Sequence, residues 1–213
     1  MTLTTPLYVI LDRGAAGDRN LASLLEAVLE GGCRVVQLRE KTMPLGDLYP
    51  VARALRKRCR EAGCLFIVND RVDLALAVEA DGVHVGQDDL PAREARRLLS
   101  PGMILGVSTH DENQARLARD DGADYVAVGS MFPTGSKAGF RLVGPDLVRR
   151  VRPEIRVPLV AIGGVTTDNV AEVIRAGADA VAVISAVCAA PDPAAAARAF
   201  LEAIRTAREG AAR

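Results

Sequence analysis

The most informative absences in this sequence are net charge and long apolar runs. Lysine and arginine together number 27, as do aspartate and glutamate, so the formal net charge is zero. Such a chain has no overall field that attracts nucleic acid or an anionic membrane. No stretch is long and apolar enough to span a bilayer, and residues 1–6 lack the features of a secretory signal. We therefore expect a soluble, cytoplasmic protein that binds neither nucleic acid nor membranes.

Cysteine and histidine are also scarce, which limits disulfide and metal chemistry. The four cysteines are Cys33, Cys59, Cys64 and Cys188. They show no C-x-x-C spacing and lie in or beside apolar segments, which predicts reduced core residues. One of the two histidines, His84, alternates with valines, so we expect a hydrogen-bonded interior residue. Two histidines so placed argue against a zinc site.

Lysine occurs at only three positions, Lys41, Lys57 and Lys137. Arginine supplies most of the positive charge, a bias that usually reflects genome composition. Lys41 and Lys137 fall in loops that follow predicted strands, where a compact ammonium group suits a phosphate or a developing charge. Chance placement is the alternative interpretation.

Short apolar runs alternate with helical patterns along the whole chain. The predicted strands cover residues 8–11, 34–38, 65–68, 82–85, 103–107, 125–128, 159–162 and 180–184. Between them, apolar residues recur at intervals of three and four, as helices with one buried face require. This alternation predicts a single (β/α)8 TIM barrel over residues 1–213, with a final helix at 193–208 and a frayed tail from about 209.

An open doubly wound sheet is the main alternative, because it also alternates strands and helices. Its dinucleotide-binding version needs a G-x-G-x-x-G turn after the first strand. Residues 12–17 follow that strand and have the wrong glycine spacing. The barrel is therefore favoured, and in a TIM barrel the ligands bind at the carboxyl ends of the strands.

The second predicted strand leads into Gln37, Arg39 and Lys41, which alternation places on one side of the barrel mouth. Arg39 could grip phosphate oxygens with two hydrogen bonds, and Lys41 adds a point charge. Gln37 offers both a donor and an acceptor to a flat polar ring. The alternative is a salt-bridged surface loop in which Glu40 neutralises one of the two cations.

Carboxylates follow the third and fourth predicted strands. Asp70 comes after the third, and Asp88 and Asp89 come after the fourth. Asp70 and one of the later aspartates should face a common space, where carboxylate oxygens suit Mg²⁺ beside a diphosphate. The alternative is that Asp88 or Asp89 caps the helix that begins near Pro91.

The fifth predicted strand ends near Ser108 and His110, which offer a hydroxyl group and an imidazole. His110 could act as a general base, or it could form only local hydrogen bonds at a helix entry. The sequence leaves both interpretations open.

Features suited to phosphate follow the last three strands. Residues 129–139 form a long connection rich in hydroxyls and glycines, typical of a phosphate loop or lid. An exposed loop without a ligand is the alternative. The seventh strand ends at Gly163-Gly164 and the eighth at Ile184-Ser185. Loops at these positions form the usual phosphate site of TIM barrels, so we expect a phosphorylated substrate.

These strand ends together resemble the thiamine phosphate synthase family over nearly the whole chain. The matching segments, in order, are 37–41, 69–71, 82–90, 106–108, 133–137, 161–164 and 183–185. Each segment alone is weak, but seven in the right order are a specific signal. The resemblance implies a transferase that joins a hydroxymethylpyrimidine diphosphate to a thiazole phosphate and releases pyrophosphate.

The resemblance also implies roles for individual residues. Those implied to bind the pyrimidine diphosphate are Gln37, Arg39, Lys41, Asn69, Ser108 and Lys137. Those implied to bind the thiazole phosphate are Thr134, Ser136, Gly164, Ile184 and Ser185. Asp70 and Asp89 are implied to hold Mg²⁺, the expected cofactor. We expect Arg39, Lys41, Ser108 and Lys137 to take part in catalysis. Ser136 stands where the family usually has threonine, which retains the hydroxyl and loses a methyl group.

Two other functions compete with this one. The thiazole tautomerase sibling of the family would use acid–base chemistry, with His110 as its natural base and no need for a metal-diphosphate site. A noncatalytic sensor would bind a thiamine precursor without releasing pyrophosphate. Asp70 and Asp89 argue against the tautomerase. The polar barrel flanks allow a homo-oligomer without locating its interface.

Overall fold

A computed structural model describes residues 5–134 and 141–211. Eight parallel strands form a closed barrel in chain order, and β1 pairs with both β2 and β8. The strands are β1 (Leu7–Asp12), β2 (Val35–Arg39), β3 (Leu65–Asn69), β4 (Gly82–Val85), β5 (Ile104–Thr109), β6 (Tyr125–Gly129), β7 (Leu159–Ile162) and β8 (Ala180–Val183). The predicted (β/α)8 TIM barrel is confirmed, and closure of the sheet excludes the open doubly wound alternative.

Helices surround the barrel and include two short ones that the apolar periodicity does not predict, α1 and α9. The helices are α1 (Arg13–Ala16), α2 (Leu21–Glu30), α3 (Leu45–Glu61), α4 (Val72–Ala77), α5 (Ala92–Leu98), α6 (Glu112–Asp120), α7 (Pro145–Val151), α8 (Val170–Arg175), α9 (Ser185–Cys188) and α10 (Pro193–Ala211). The last helix runs past its expected end at Arg208. Alanine favours the helical backbone, and the Arg205–Glu209 ion pair at i,i+4 spans that point.

Apolar side chains fill two separate layers. The outer layer lies between the barrel and the helices, where α2 contributes Leu24, Leu25 and Val28. The inner layer fills the barrel itself with Tyr8, Ile10, Val35, Ile67, Ile104, Tyr125, Ala127, Val160, Ala180 and Ala182. Strands buried on both faces need apolar residues throughout, which explains their nearly continuous apolar sequence. The four cysteines are buried and free, as predicted.

Gly106 in β5 makes room for a large ring inside the barrel. It pairs in register with Tyr125 of β6. A Cβ atom on Gly106 would overlap the Tyr125 ring. The ring is fully buried, and its hydroxyl lies 3.0 Å from the hydroxyl of Tyr8 in the inner layer.

Candidate active site

The carboxyl ends of the strands surround a cavity of about 800 Å³. This volume lies in the range typical of small-molecule sites. The predicted site residues that line it are Gln37, Arg39, Lys41, Asn69, Asp70, Asp89, Ser108, Thr134, Gly164, Ile184 and Ser185. Ser136 and Lys137 lie outside the described residues. The structure therefore brings together every predicted site residue that it describes.

The end of β2 carries an amide and two cations, each held by a neighbouring strand or loop. Gln37 is buried, and its Nε2 donates to the Tyr8 hydroxyl at 2.7 Å. The Arg39 guanidinium donates to Asp12, its register partner on β1. The Lys41 ammonium donates to Asp70, and the lysine side chain remains half exposed. These pairs fix the cations at the cavity wall while leaving Lys41 accessible to a ligand.

Glu40 does not neutralise either cation. Its Oε1 accepts hydrogen bonds from the backbone N–H of Thr42 and of Met43 at 2.7 and 3.1 Å, and from the Thr42 hydroxyl. Burial works to raise the pKa of Glu40, but these hydrogen bonds outweigh it and lower the pKa. The alternative interpretation is therefore wrong about Glu40, which shapes the loop that carries Lys41, while Asp12 and Asp70 form the ion pairs with the two cations.

Asp70 and Asp89 meet at the ends of β3 and β4. Asp70 adopts a left-handed backbone with φ of 61°, and its N–H donates to the His84 carbonyl at 2.7 Å. Asp89 accepts from the Gly86 N–H at 2.7 Å through Oδ2. Pro91 is the N-cap of α5 and no side chain caps that helix. The predicted capping by Asp88 or Asp89 is therefore wrong, since Asp89 closes a turn within its own loop.

The two carboxyl groups have opposite pKa shifts. Burial and the neighbouring Asp89 raise the pKa of Asp70, although Lys41 partly offsets them. Burial also acts to raise the pKa of Asp89, but the hydrogen bonds from Asp70 and Gly86, together with Lys41, lower it overall. Two carboxyl groups this close favour either one shared proton or a bound cation between them.

This carboxylate pair determines which metal the site could hold. No group of three or more histidine, cysteine, aspartate or glutamate side chains that could hold a metal occurs among the described residues. A full protein cage of the kind zinc uses is thus not built from them. Mg²⁺ is commonly held by one or two carboxylates, with waters and substrate phosphates as its other ligands. Asp70 and Asp89 fit that donor set.

His84 and Ser108 line the cavity and belong to a hydrogen-bonded series of side chains that the sequence only partly indicates. His84 is buried, as predicted for an interior residue, and its Nδ1 and Nε2 lie 2.8 Å from the Tyr125 hydroxyl and from Ser108 Oγ. The Tyr125 hydroxyl lies 3.0 Å from that of Tyr8. Sequence reasoning missed both tyrosines, because alternation marks them only as inward-facing core residues.

His110 forms the local hydrogen bonds that one of its two interpretations predicts. Its Nδ1 lies 2.6 Å from the Gly129 carbonyl oxygen, and its N–H donates to Gln114 Oε1 at 2.8 Å. The imidazole also lines the cavity. Arg141, another cavity residue that sequence reasoning missed, lies 3.8 Å from Asp111 and adds a largely exposed cation to this side.

The far side of the cavity is formed by the loops after β6, β7 and β8. Gly163 and Gly164 adopt left-handed conformations with φ of 96° and 67°. A Cβ atom on Gly164 would come within 2.6 Å of the Phe132 carbonyl oxygen, so only glycine lets these two loops pack together. Ile184 and Ser185 follow at the start of α9. This wall presents backbone groups and hydroxyls.

The fold and the cavity define the class of the protein. A closed parallel barrel whose strand ends present cations, a carboxylate pair and glycine loops to one cavity is an enzyme of the TIM-barrel class. Residues 7–187 match the family described as thiamine monophosphate synthase, and the chain belongs to that family.

Individual relatives agree with this assignment. A thiamine-phosphate synthase of Moorella thermoacetica is 52% identical over 204 residues, which are 95% of this chain and 97% of that protein. Another, from a Roseiflexus species, is 50% identical and covers 97% of this chain and 88% of its own length. The structure of thiamine phosphate pyrophosphorylase from Pyrococcus furiosus matches with a TM-score of 0.88 and 37% identity, covering 96% and 97% of the two chains. The protein is accordingly a transferase of thiamine biosynthesis.

Within the described residues, the helices are all too short or too polar to cross a membrane.

Proposed function

We propose that the enzyme condenses 4-amino-2-methyl-5-hydroxymethylpyrimidine diphosphate with 4-methyl-5-(2-hydroxyethyl)thiazole phosphate, or with the carboxylated form of that thiazole. The products are thiamine phosphate and pyrophosphate. The observation that carries the proposal is one cavity with two different walls. One wall holds a carboxylate pair beside two cations, and the other holds glycine loops and hydroxyls. Each wall suits a different phosphorylated substrate.

The pyrimidine diphosphate is assigned to the wall formed by β2 to β5. Gln37 and Asn69 bind the pyrimidine ring, while Arg39 and Lys41 bind the diphosphate. Ser108 adds a hydroxyl at the same wall, and Lys137 is assigned to the diphosphate from the family resemblance. Asp70 and Asp89 would hold Mg²⁺, which when bound supplies positive charge to the leaving pyrophosphate.

The thiazole phosphate is assigned to the opposite wall. Thr134, Gly164, Ile184 and Ser185 surround it with hydroxyls and backbone N–H groups, and Ser136 is assigned there from the family resemblance. Gly164 lets the backbone of the β7 loop pack closely against the β6 loop, so the two loops can enclose one phosphate group.

The chemistry is a dissociative substitution at the methylene carbon of the pyrimidine. The methylene–oxygen bond breaks and its electron pair leaves with pyrophosphate, and the thiazole nitrogen then donates its lone pair to the same carbon. Arg39 and Lys41 stabilise the leaving charge, so no protein nucleophile is needed. The electron-rich aminopyrimidine delocalises the positive centre, and the cavity holds the second ring in line and excludes water.

The test incubates the purified protein with both precursors, with Mg²⁺ or with a chelator, and measures thiamine phosphate and pyrophosphate. We expect product only with Mg²⁺. In Asp70→Ala plus Asp89→Ala, we expect the rate at limiting Mg²⁺ to fall at least about a hundredfold, because truncating both carboxylates removes the proposed ligands. An unchanged rate and an unchanged Mg²⁺ dependence would contradict the metal role.

Asp88→Asn is the matched control for the carboxylate variants. Asp88 also lines the cavity and stands next to Asp89, but its side chain is exposed and forms no part of the Asp70–Asp89 pair. We expect its Mg²⁺ dependence to stay within about threefold of the original protein, because solvent and salt screen an exposed charge that is not a ligand. An Asp88 effect as large as that of Asp89→Asn would show that general negative charge, rather than the pair, attracts the metal.

A further inference from the structure

Five polar side chains form a continuous hydrogen-bonded chain across the floor of the cavity. In spatial order they are Gln37, Tyr8, Tyr125, His84 and Ser108. The successive donor–acceptor distances are 2.7, 3.0, 2.8 and 2.8 Å. Gln37 and Ser108, at the two ends, line the cavity, and so does His84. The tyrosine hydroxyls join them through the interior of the barrel, where both tyrosines are buried.

The direction of donation along this chain follows from its first bond. Gln37 donates its Nε2–H to the Tyr8 hydroxyl oxygen. The Tyr8 hydrogen must then find another acceptor, and the hydroxyl that approaches it is that of Tyr125 at 3.0 Å. If Tyr125 donated to Tyr8 instead, the Tyr8 oxygen would accept hydrogen bonds from both Gln37 and Tyr125. The buried Tyr8 hydrogen would then lose Tyr125 as its acceptor, which costs free energy. Burial raises the pKa of both phenols, so each keeps its hydrogen.

The hydrogen bond from Tyr125 determines which nitrogen of His84 carries the proton. The Tyr125 hydroxyl donates its hydrogen bond to His84 Nδ1, so Nδ1 must be the unprotonated ring nitrogen. The neutral imidazole then carries its proton on Nε2 and donates it to Ser108 Oγ. The Ser108 oxygen accepts the hydrogen bond from His84 Nε2, so the Ser108 hydroxyl hydrogen does not point toward His84. Because Ser108 lines the cavity, that hydrogen is available to a ligand there.

We propose that His84 and Tyr125 are positioning residues that make Ser108 a fixed hydrogen-bond donor toward an anionic oxygen in the cavity. A serine hydroxyl free to rotate can donate or accept, whereas a phosphate oxygen only accepts. A donor whose direction is set in advance needs no rearrangement when negative charge develops. The identity of the anion as the diphosphate rests on the proposed function. The direction of hydrogen-bond donation from Gln37 to Ser108 does not.

His110 provides an internal comparison, because the structure predicts the opposite tautomer for it. Its Nδ1 lies 2.6 Å from the Gly129 carbonyl oxygen, which can only accept. The proton of a neutral His110 must therefore sit on Nδ1. With two histidines in the whole chain, a single spectrum should show one imidazole of each kind.

The first experiment is ¹⁵N NMR of the imidazole nitrogens in the ligand-free protein at about pH 8, above the usual histidine pKa of about 6.5. His110→Gln assigns the two sets of signals. We expect His84 to be protonated on Nε2 only and His110 on Nδ1 only. A His84 proton on Nδ1, or on both nitrogens, overturns the proposal. The measurement needs no turnover, so it remains decisive even if the enzyme makes no thiamine phosphate.

The second experiment compares Tyr125→Phe with Tyr8→Phe, each of which removes one buried hydroxyl. In Tyr125→Phe the His84 Nδ1 loses its donor, so its ¹⁵N signal should move toward that of a free lone pair. In Tyr8→Phe the donor remains, and the signal should move much less. Equal movement in both variants overturns the proposed chain. If Tyr125→Phe does not fold, the spectrum of the unaltered protein still decides the direction.

The functional consequence is measured with inorganic pyrophosphate and Mg²⁺, by calorimetric titration. Ser108→Ala should raise the Kd about tenfold, the effect of one hydrogen bond to a charged group. Tyr125→Phe should raise it severalfold, because His84 is then held less firmly, and Tyr8→Phe should raise it less. A Kd unchanged in Ser108→Ala overturns the donor role. If pyrophosphate does not bind the unaltered protein, the proposed function fails while the tautomer result stands.

Discussion

At the scale of single residues, the carboxylate pair places the charge of Asp70 in an unfavourable environment. Asp70 lies between Lys41, which stabilises its charge, and Asp89, which opposes it. Its pKa is raised overall, with burial as the largest cause. A raised pKa means that the folded chain holds the Asp70 proton more tightly than the unfolded chain does. Ionised Asp70 therefore costs stability at neutral pH. That cost declines as the pH falls through the raised pKa, and it is gone below the ordinary pKa of 3.8.

Asp70→Asn should therefore stabilise the folded protein. Asparagine tolerates the left-handed backbone, can accept from Lys41 and can donate to Asp89. We expect the free energy of unfolding of the metal-free protein to rise by about 1 kcal/mol at pH 7, a gain in Tm of about 2–4 °C. Thermal unfolding with a chelator measures it, and the gain should vanish at acid pH.

Asp89→Asn is the matched variant, with the opposite expected sign. The pKa of Asp89 is lowered, so the ionised carboxylate stabilises the folded protein above its ordinary pKa of 3.8. That stabilisation is lost as the pH falls through the lowered pKa. The substitution should reduce Tm at pH 7. A higher Tm for Asp89→Asn than for Asp70→Asn would show that the charges are distributed differently between the two carboxyl groups.

A second residue-scale prediction concerns Glu40, whose side chain is only 3% exposed. Glu40→Ala leaves the Thr42 and Met43 N–H groups without their acceptor, which should cost about 1–2 kcal/mol in urea unfolding. The loop that carries Lys41 loosens, so we also expect a higher KM for the pyrimidine diphosphate. The stability difference should shrink only below pH 4.5, as the carboxyl group becomes protonated.

Glu30→Ala is the control for that measurement, because Glu30 is an exposed surface carboxylate in a weak ion pair. Its removal should change stability by less than about 0.5 kcal/mol and leave KM unchanged. If Glu40→Ala behaves like Glu30→Ala, the hydrogen bonds of Glu40 do not shape the loop.

At the scale of elements, the barrel depends on small residues where strands meet large rings. Gly106→Ala should destabilise the protein by about 1–3 kcal/mol, because the new methyl group overlaps Tyr125 and neither strand can move freely. Gly46→Ala is the control, since Gly46 lies in α3 with open space around its Cβ position. That substitution should be neutral or stabilising by up to about 1 kcal/mol. Urea unfolding of both variants measures the difference. If Gly106→Ala were as stable as Gly46→Ala, the close packing of Gly106 against Tyr125 would not limit the stability of the barrel.

The elements also show what the sequence could and could not predict. The eight strands follow from apolar runs and their spacing, because each must be buried on both faces of the barrel. The pairing of Arg39 with Asp12 could not be predicted, since it depends on the register of β1 against β2. The Tyr8–Tyr125 contact joins strands that are not neighbours, and only closure of the barrel brings these hydroxyls together.

At the scale of the whole molecule, one cavity combines groups from both halves of the chain. Arg39 and Asp70 come from its first half, and Ser108, Gly164 and Ser185 come from its second half. The overall charge is zero, so the attraction for anionic substrates is local to this cavity. The sequence predicted that these residues would line one cavity, because each follows a predicted strand and parallel strands bring their carboxyl ends to one rim. The polar chain beneath them depends on three-dimensional contacts that no local pattern contains.

We propose that this cavity joins two substrates, and the stoichiometry of a single turnover tests this. Enzyme in excess is mixed with both precursors and Mg²⁺, and thiamine phosphate and pyrophosphate are quantified together. We expect equal amounts of the two products, and neither product when the thiazole phosphate is omitted. Pyrophosphate without thiamine phosphate, or bound precursors with no product at all, would contradict it.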